Sequence, residues 1–203
     1  MKRLQLAIIL IVALGAIIAT TGIAQRQPAH APRLPGAQAV IDAETFPSLQ
    51  AAFNAIPDAG GVVHLPPGTF EIKEPLILSK GDVCIQGSGT ATHIKNVNTT
   101  GKPALILQHP DAGDNRKSEL WRIRLANLRI TGNEKSGHGI EARRINEIFI
   151  DGVTVSYHGG DGIRLYYCYE DPRICDSLIT YNKQTGLNLQ GCHDIVVSSN
   201  QFE

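Results

Sequence analysis

A glycine followed by an aliphatic residue recurs at a nearly constant interval in the second half of the chain. Gly139-Ile140, Gly162-Ile163 and Gly186-Leu187 are separated by 23 and 24 residues. An interval of this length is typical of stacked repeats and is too short for a repeat built from two helices. The sequence therefore predicts one small structural unit that is stacked several times along an axis.

A second pattern, of alternating aliphatic residues, repeats beside these glycines. Its four copies, of which the third is the weakest, are Ile123, Leu125, Leu128, Ile130; Ile148, Ile150, Val153, Val155; Arg173, Cys175, Leu178, Thr180; and Ile195, Val197, Asn200, Phe202. Alternation with a period of two, interrupted by turn residues, predicts short strands. One such unit can bury its apolar side only against its neighbours. We therefore predict an all-β chain folded as a right-handed parallel β-helix.

Length and charge are those of a single domain without a nucleic-acid surface, because the 203 residues carry 19 basic and 19 acidic side chains. The first residues have the layout of an export signal: Lys2 and Arg3 precede an apolar run from Leu6 to Ala19. We expect a signal peptide over residues 1–24 and a secreted or periplasmic protein. The alternative is a membrane anchor through residues 6–23, and no other membrane contact is expected.

The segment after this leader leads into the predicted solenoid. Residues 25–39 contain three prolines and are predicted to be a disordered linker, and the β-helix is expected over residues 40–203. Near its start, apolar residues recur at helical spacing between Leu49 and Ile56, after Thr45, which we expect to be the N-cap. This short helix would cover the open apolar end of the stack.

The residues from Gly60 to Ile72 read Gly-Gly-Val-Val-His-Leu-Pro-Pro-Gly-Thr-Phe-Glu-Ile. Together with the helix before it, this stretch resembles the opening coil of the pectate lyase superfamily domain, which pectate lyases share with polygalacturonases, rhamnogalacturonases and epimerase-like β-helix proteins. The resemblance implies a single-stranded right-handed β-helix and a polysaccharide partner, with uronate-containing, pectin-like polymers as the substrate class. The motif is specific for the fold and does not indicate the sugar or its linkage.

The strands that begin at the repeated glycines are predicted to carry the functional surface. Alternation places six polar side chains on their outer side, on three successive coils: Glu141, Arg143, Arg164, Tyr166, Asn188 and Gln190. A second column precedes the glycines at His138, Asp161 and Thr185, with His158 nearby. Hydrogen-bonding groups, an aromatic ring and cations suit an extended oligosaccharide that bears carboxylates. Taken singly, an outward polar residue is more often plain solvated surface.

Two short motifs resemble the polygalacturonase signature but stand in the wrong order. Gly137-His138-Gly139 is similar to the histidine motif of that family, which follows the aspartates there, whereas here it precedes Asp161 by one coil. Hydrolysis with an acid and a base needs two carboxylates at a defined separation. The next coil offers only Thr185-Gly186-Leu187-Asn188 as a partner for Asp161, so we expect a polysaccharide lyase, which acts by β-elimination, or an epimerase-like protein rather than a glycoside hydrolase.

A lyase must neutralise the uronate carboxylate and remove the proton next to it. Asp161, Arg164 and His158 are the candidates: Asp161 would hold a Ca²⁺ cofactor, and Arg164 or His158 would act as base or carboxylate clamp. Tyr166 would stack on the sugar or donate a proton. The alternative is a non-catalytic β-helix module that binds surface glycans or has a structural role. A metal-delivery role is not expected, because the histidines do not cluster at ligand spacing.

The cysteines follow the repeat as well. Cys168 and Cys192 each lie six residues after a repeated glycine, so neighbouring coils should place one above the other, close enough for a disulfide in an oxidising compartment. We predict a Cys168–Cys192 bridge, with Cys168–Cys175 as the competing pair. Cys84 and Cys175 are expected at inward positions, as small core residues.

Two further expectations concern segments outside the regular repeat. The stretch from Gln108 to Ser118 is polar and lacks periodicity, so we expect a loop that projects from the stack and forms the wall of a binding groove. The sequence stops at Glu203 in the middle of a coil, which leads us to expect additional coils, or another chain, over that end.

Overall fold

A computed structural model describes residues 34–111 and 118–203 of the protein. The predicted signal peptide, the alternative anchor and most of the predicted linker lie outside these ranges, as does the middle of the segment from Gln108 to Ser118. No helix in the described ranges combines the length and the apolar surface that a membrane span requires. From Ala37 onward the chain forms one compact unit.

Short strands account for most of the regular structure in the described residues. They are β1 (Ala39–Asp42), β2 (Gly61–His64), β3 (Gly68–Ile72), β4 (Leu76–Leu78), β5 (Val83–Gln86), β6 (Thr92–Asn96), β7 (Leu105–Leu107), β8 (Leu120–Ala126), β9 (Arg129–Thr131), β10 (Ile140–Arg143), β11 (Ile145–Asp151), β12 (Thr154–Ser156), β13 (Ile163–Tyr166), β14 (Arg173–Cys175), β15 (Leu178–Thr180), β16 (Leu187–Gln190), β17 (Val196–Ser198) and β18 (Gln201–Phe202). The helical elements are 3₁₀ turns at Ala43–Thr45 and Gly89–Ala91 and the helix α1 (Leu49–Asn54).

These strands form three sheets that run along the axis of a solenoid. Sheet A has the order β1-β2-β5-β8-β11-β14-β17, sheet B the order β3-β6-β9-β12-β15-β18, and sheet C the order β4-β7-β10-β13-β16. The pairings within each sheet are parallel, and from β2 onward the chain visits sheets A, B and C in turn. This is the predicted β-helix topology, with about seven coils.

Aliphatic residues of successive coils lie over one another in the interior, as predicted. Ile148 pairs in register with Ile123, and Ile150 with Leu125, and these four side chains are at most 1% exposed. Burying one such side chain contributes roughly 1.5–3 kcal/mol. The stacked aliphatic columns therefore form one continuous core that runs through all the coils.

The glycines that mark the repeat are required by the closeness of neighbouring coils. A Cβ atom at Gly139 would lie 2.4 Å from Val155 Cγ1 and 2.5 Å from the carbonyl oxygen of Gly162. At Gly162 the carbonyl oxygen of Gly186 would be 2.7 Å away. Since real side chains do not approach a backbone carbonyl so closely, the recurrence of glycine is a direct consequence of the stacking.

The coil that contains the third copy of the pattern, with β14 and β15, departs from the predicted alignment by one residue. Ile150 pairs with Ile174, and Val155 pairs with Ile179. The inward positions of this coil are therefore Ile174 and Ile179, and the predicted copy at Arg173, Cys175, Leu178 and Thr180 is wrong by one position. The reason is that this coil follows its neighbour after 24 residues, whereas the preceding copies are 25 residues apart.

The predicted inward placement of two cysteines is also wrong. Cys175 alternates with the buried Ile174 and is half-buried on the outer side of sheet A. Cys84 lies between the buried Val83 and Ile85 and likewise faces outward. Cys175 faces outward because the alignment of its coil differs by one residue from the predicted one. Cys84 faces outward because it follows the simple alternation of its strand.

The first described residues contain a strand that the sequence patterns did not predict. β1 pairs with β2 through Ala39 and Gly61, so residue 39 belongs to the solenoid and the first strand precedes the helix. Ser48, rather than the predicted Thr45, is the N-cap of α1, and its Oγ accepts a hydrogen bond from the Ala51 N–H at 3.1 Å. The Thr45 hydroxyl instead donates to a backbone carbonyl before the helix.

The helix α1 and the last coil lie at opposite ends of the described core. Leu49 and Phe53 of α1 are buried in the core. At the other end the inward side chains of Leu189, Val197 and Phe202 are 41%, 42% and 47% exposed, because no further strand of the described residues lies over them. The core is therefore closed on one side and open on the other within the described part of the chain.

Candidate functional site

The outer face of sheet C carries the predicted polar ladder. Register pairs its residues in two columns, which are Glu141, Arg164 and Asn188, and Arg143, Tyr166 and Gln190. The inward residues between them, such as Ile140 and Ile163, are fully buried. The Arg143 guanidinium lies 4.6 Å from the centre of the Tyr166 ring. The structure thus brings all six predicted ladder residues together on one surface.

A hydrogen-bonded cluster lies at the corner between sheets B and C, at one edge of this face. The Asp161 carboxylate is 3% exposed. It accepts hydrogen bonds from the Thr185 backbone N–H at 3.1 Å and from the Asn188 side-chain amide at 3.0 Å. Nδ1 of His138 lies 3.3 Å from the nearer oxygen of that carboxylate, and its Nε2 lies 3.3 Å from Arg164 Nη1. Asp161 is therefore a buried anchor that supports two more exposed groups.

The proton on His138 has two alternative positions in this cluster. With the proton on Nε2, Nδ1 accepts the hydrogen bond that the Asp161 backbone N–H offers at 2.9 Å. With the proton on Nδ1, the ring donates to the Asp161 carboxylate, and Nε2 is free to accept from Arg164. The first tautomer satisfies the contact with the Asp161 backbone, and the second satisfies the contacts with the Asp161 carboxylate and with Arg164.

The position of Asp161 does not fit the predicted role as a Ca²⁺ ligand. Both of its oxygens already accept hydrogen bonds, one from Thr185 and one from Asn188. Ca²⁺ takes about six to eight oxygen ligands, and within the described ranges no group of three or more His, Cys, Asp or Glu side chains could hold a metal ion. The cluster is better described as a hydrogen-bond network than as a metal site.

His158 lies on the inner side of the same corner. It is 1% exposed, and Cβ atoms placed on Gly132 and Gly139 would lie 2.4 and 2.9 Å from its ring. Burial lowers the pKa of His158 to about 4, an effect that the nearby Ile130 backbone opposes only in part. The ring is thus neutral at neutral pH and cannot contact a polymer on the surface, so its position does not support the predicted role as a base.

This burial predicts a pH-dependent stability. The unfolded chain binds the His158 proton near pH 6.5 and the folded chain only near pH 4, so the contribution of His158 to stability is complete above pH 6.5. It is lost as the pH falls towards 4, which lowers the free energy of unfolding by about 3 kcal/mol. Urea unfolding at a series of pH values measures this loss. His158→Leu should reduce the dependence of the free energy of unfolding on pH, and His64→Gln, at an exposed histidine, should not. An equal dependence on pH in the wild type and both variants would contradict the role given to His158.

The stacked cysteines lie together as predicted but are free thiols. The Cys168 N–H donates to Cys192 Sγ at 3.3 Å, and the four cysteines of the described residues are all unbridged. A hydrogen bond from Cys168 lowers the pKa of Cys192 to about 6, and the same contact, with burial, raises the pKa of Cys168. The structure therefore shows neither the predicted Cys168–Cys192 disulfide nor its competitor Cys168–Cys175.

Comparison with protein families identifies the fold. The sequence matches the family described as "Right handed beta helix region" over residues 61–203. This chain belongs to the right-handed β-helix family. Membership confirms the right-handed β-helix that the sequence predicted from its opening coil and its repeats.

Two solved structures resemble this right-handed β-helix. ORF18 of Geobacillus virus E2 is 20% identical, with a TM-score of 0.56 over 80% of this chain and 39% of that one. The A-module of mannuronan C-5 epimerase AlgE6 from Azotobacter vinelandii is 20% identical, with a TM-score of 0.58 over 80% of this chain and 56% of that one. The chain spans less than two thirds of either structure, and at this identity the likeness shows the fold alone. A comparison with curated proteins finds no match.

A cleft that the sequence patterns did not predict lies at the corner between sheets C and A of this β-helix. Its volume is about 430 Å³, and its lining residues are Glu119, Trp121, Asn146, Tyr169, Glu170, Gly191 and His193. Four of them follow one another at intervals of 25, 23 and 24 residues: Trp121, Asn146, Tyr169 and His193. The spacing was a usable signal, because it matches the coil length. The four different residue types concealed it.

Proposed function

We propose that this β-helix is an exported protein that acts on uronate-containing polysaccharides, with the outer face of sheet C as the binding surface. The hydrogen-bonded cluster of His138, Asp161 and Arg164 is the observation that carries this proposal. It combines a histidine that a buried carboxylate orients with a guanidinium, the side chain best suited to a carboxylate. Arg143 and Tyr166 extend the same face with a second cation and an aromatic ring.

The proposed reaction begins when the uronate carboxylate binds Arg164 and displaces it from His138. In the tautomer with Nδ1–H bonded to Asp161, Nε2 is unprotonated and takes the proton from the carbon next to the carboxylate. The electron pair of that C–H bond passes into the carboxylate, where Arg164 stabilises the added charge. His138 therefore replaces His158 as the candidate base, and Arg164 keeps its predicted role as carboxylate clamp.

Two outcomes are open to the resulting intermediate. In β-elimination the electron pair forms a C=C bond and expels the glycosidic oxygen, which takes a proton from a donor such as Tyr166. In epimerisation the carbon regains a proton on the opposite face, and no bond of the polymer breaks. Both reactions use the same carboxylate clamp and the same base, and they differ in the position of the second proton donor.

A non-catalytic glycan-binding module is the second candidate, and one observation favours it. The polar groups of the cluster already satisfy one another, since Asp161 accepts from Thr185 and Asn188, and Arg164 contacts His138. In this second candidate, the role of the network is to keep the binding surface rigid. In that case the face of sheet C would bind uronate oligosaccharides and release them unchanged.

Incubation with polygalacturonate and with polymannuronate tests the proposal. We expect either unsaturated uronides, detected by their ultraviolet absorbance, or inverted sugar residues, detected by NMR, and we expect Ca²⁺ chelation to leave the reaction in place. Arg164→Ala should lower kcat/KM by about 10- to 100-fold, because a charge-assisted hydrogen bond is lost. Arg124→Ala is the matched control, since Arg124 is bonded to Asp151 on sheet A.

The outcomes separate the two candidates. Turnover by the wild-type protein that Arg164→Ala leaves unchanged would exclude the clamp. Binding of uronate oligosaccharides without any product would favour the non-catalytic module, and absence of both binding and turnover would refute the proposed use of sheet C.

A further inference from the structure

We propose that the cleft between sheets C and A is a second carbohydrate site, one that binds an amino sugar rather than a uronate. The cleft lies at the edge of sheet C opposite the His138 cluster, and its volume of about 430 Å³ falls in the usual range for small-ligand sites, about 300–1,000 Å³. The proposal is independent of the proposed function of sheet C, because none of the residues that carry it belongs to that ladder.

Aromatic side chains form the walls of the cleft. Tyr169 stacks on His193, with ring centres 4.4 Å apart and planes 25° apart. Trp121 lies two coils away from Tyr169, is 37% exposed and lines the same cleft. The register places Asn146 between them, since it pairs with Trp121 and bridges to Tyr169. Flat aromatic surfaces on either side of a polar floor suit a pyranose ring, which has apolar faces and a polar rim.

The floor of the cleft contains a polar atom without a partner. Asn146 is 3% exposed and donates through Nδ2 to a carboxylate oxygen of Glu119 at 2.9 Å. Its Oδ1 has no hydrogen-bond partner among the described residues. A buried acceptor that lacks a donor costs free energy, so a small turn of the Asn146 side chain that presents Oδ1, closed to solvent here, to a ligand N–H or O–H would gain a hydrogen bond.

The charge of the cleft decides which sugar it favours. Glu119 and Glu170 line the cleft, no lysine or arginine of the described residues lines it, and His193 is paired with Asp194 at 2.6 Å. Carboxylates repel a uronate and attract an ammonium group, and aromatic faces also attract cations. The ladder of sheet C has the opposite character because of Arg143 and Arg164. The cleft therefore selects a 2-amino sugar over a uronate.

The nearest arginines do not reverse this charge. Arg122 contacts the Trp121 ring at 5.9 Å, but its guanidinium forms an ion pair with Asp82. Arg144 stacks on the ring of Tyr167 at 5.2 Å and is not among the residues that line the cleft. Among the described residues, Glu119 and Glu170 remain the acidic side chains that line the cleft.

Binding of three oligosaccharides to the full chain tests the proposal. The probes are a β-1,4-linked glucosamine tetramer, its fully N-acetylated form and a galacturonate tetramer, measured by isothermal titration calorimetry at slightly acidic pH. We expect the glucosamine tetramer to bind most tightly to the cleft. Tyr169→Ala should weaken that binding by about tenfold, because a stacking face is lost. Tyr181→Ala removes a tyrosine that is more exposed than Tyr169 and lies at the corner between sheets B and C, and it should change the affinity less than twofold.

A second variant tests the charge preference and does not alter packing. Glu170→Gln, at an exposed position of the cleft, should weaken binding of the glucosamine tetramer by about fivefold and leave the N-acetylated tetramer unaffected. Arg164→Ala should not affect either probe, which distinguishes this site from the face of sheet C. Equal binding of the two tetramers, failure of Tyr169→Ala to weaken binding, or no binding at all would overturn the proposal.

Discussion

His138→Gln should lower the rate at which a uronate polymer is converted by about 10²- to 10⁴-fold, the usual contribution of general acid–base catalysis. Glutamine can fill the space of the imidazole and form hydrogen bonds, but it cannot take up a proton at the position of Nε2. The Arg164 clamp should remain, so we expect KM to change little while kcat falls. Product formation under substrate saturation, measured by ultraviolet absorbance or NMR, gives this result directly.

The pattern of kcat and KM identifies what His138 does. His64→Gln, at an exposed histidine on the outer side of sheet A, is the matched control and should retain full activity. A His138→Gln protein that keeps the wild-type rate would rule out this histidine as the base. A rise in KM at unchanged kcat would show instead that His138 contacts the polymer without transferring a proton.

Gly139→Ala should lower the free energy of unfolding by about 3 to 4 kcal/mol, near the upper end of the range for overpacked sites. The new Cβ would meet the carbonyl oxygen of Gly162 at 2.5 Å and the buried Val155 Cγ1 at 2.4 Å. Neither atom can move without separating two stacked coils. Urea unfolding at neutral pH measures the loss, with the m-value of each protein fitted as a free parameter.

Gly186→Ala is the matched control because Gly186 occupies the same column one coil beyond Gly162. Its Cβ would meet only the edge of the Phe202 ring at 3.1 Å and Ile179 Cγ2 at 3.5 Å. We expect a cost of about 1 kcal/mol or less. Similar losses at Gly139 and Gly186 would show that the repeated glycines are needed for a reason other than coil contact.

Much of the fold could be predicted because stacking requires particular residue types at regular intervals in the sequence. The spacing of Gly139 and Gly162 gave the coil length, and alternation at Ile140 and Ile163 gave the inward side. The same alternation correctly placed Arg164 and Tyr166 on the outer face. These features depend on the close contact of equivalent positions in neighbouring coils, which constrains residue type directly.

The corners of the coils could not be predicted, because their backbone conformation is carried by residues without a turn signature. Arg144 and Tyr167, at the corner between sheets C and A, both have a φ angle of 52°, and Tyr157, at the corner between sheets B and C, has 62°. Side chains other than glycine and asparagine rarely adopt this region. Strand alternation does not extend across such a corner, so it predicts neither the burial of His158 nor the cleft beside Tyr169.

The corner between sheets C and A varies in length without disturbing the sheets. Arg143 and Ile145 are separated there by Arg144 alone, while one coil later six residues separate Tyr166 from Arg173. Phe149 nevertheless pairs in register with Arg173. The number of residues beside the cleft can therefore change while the register of the sheets is kept, so a change of ligand preference at this corner need not lower the folding stability.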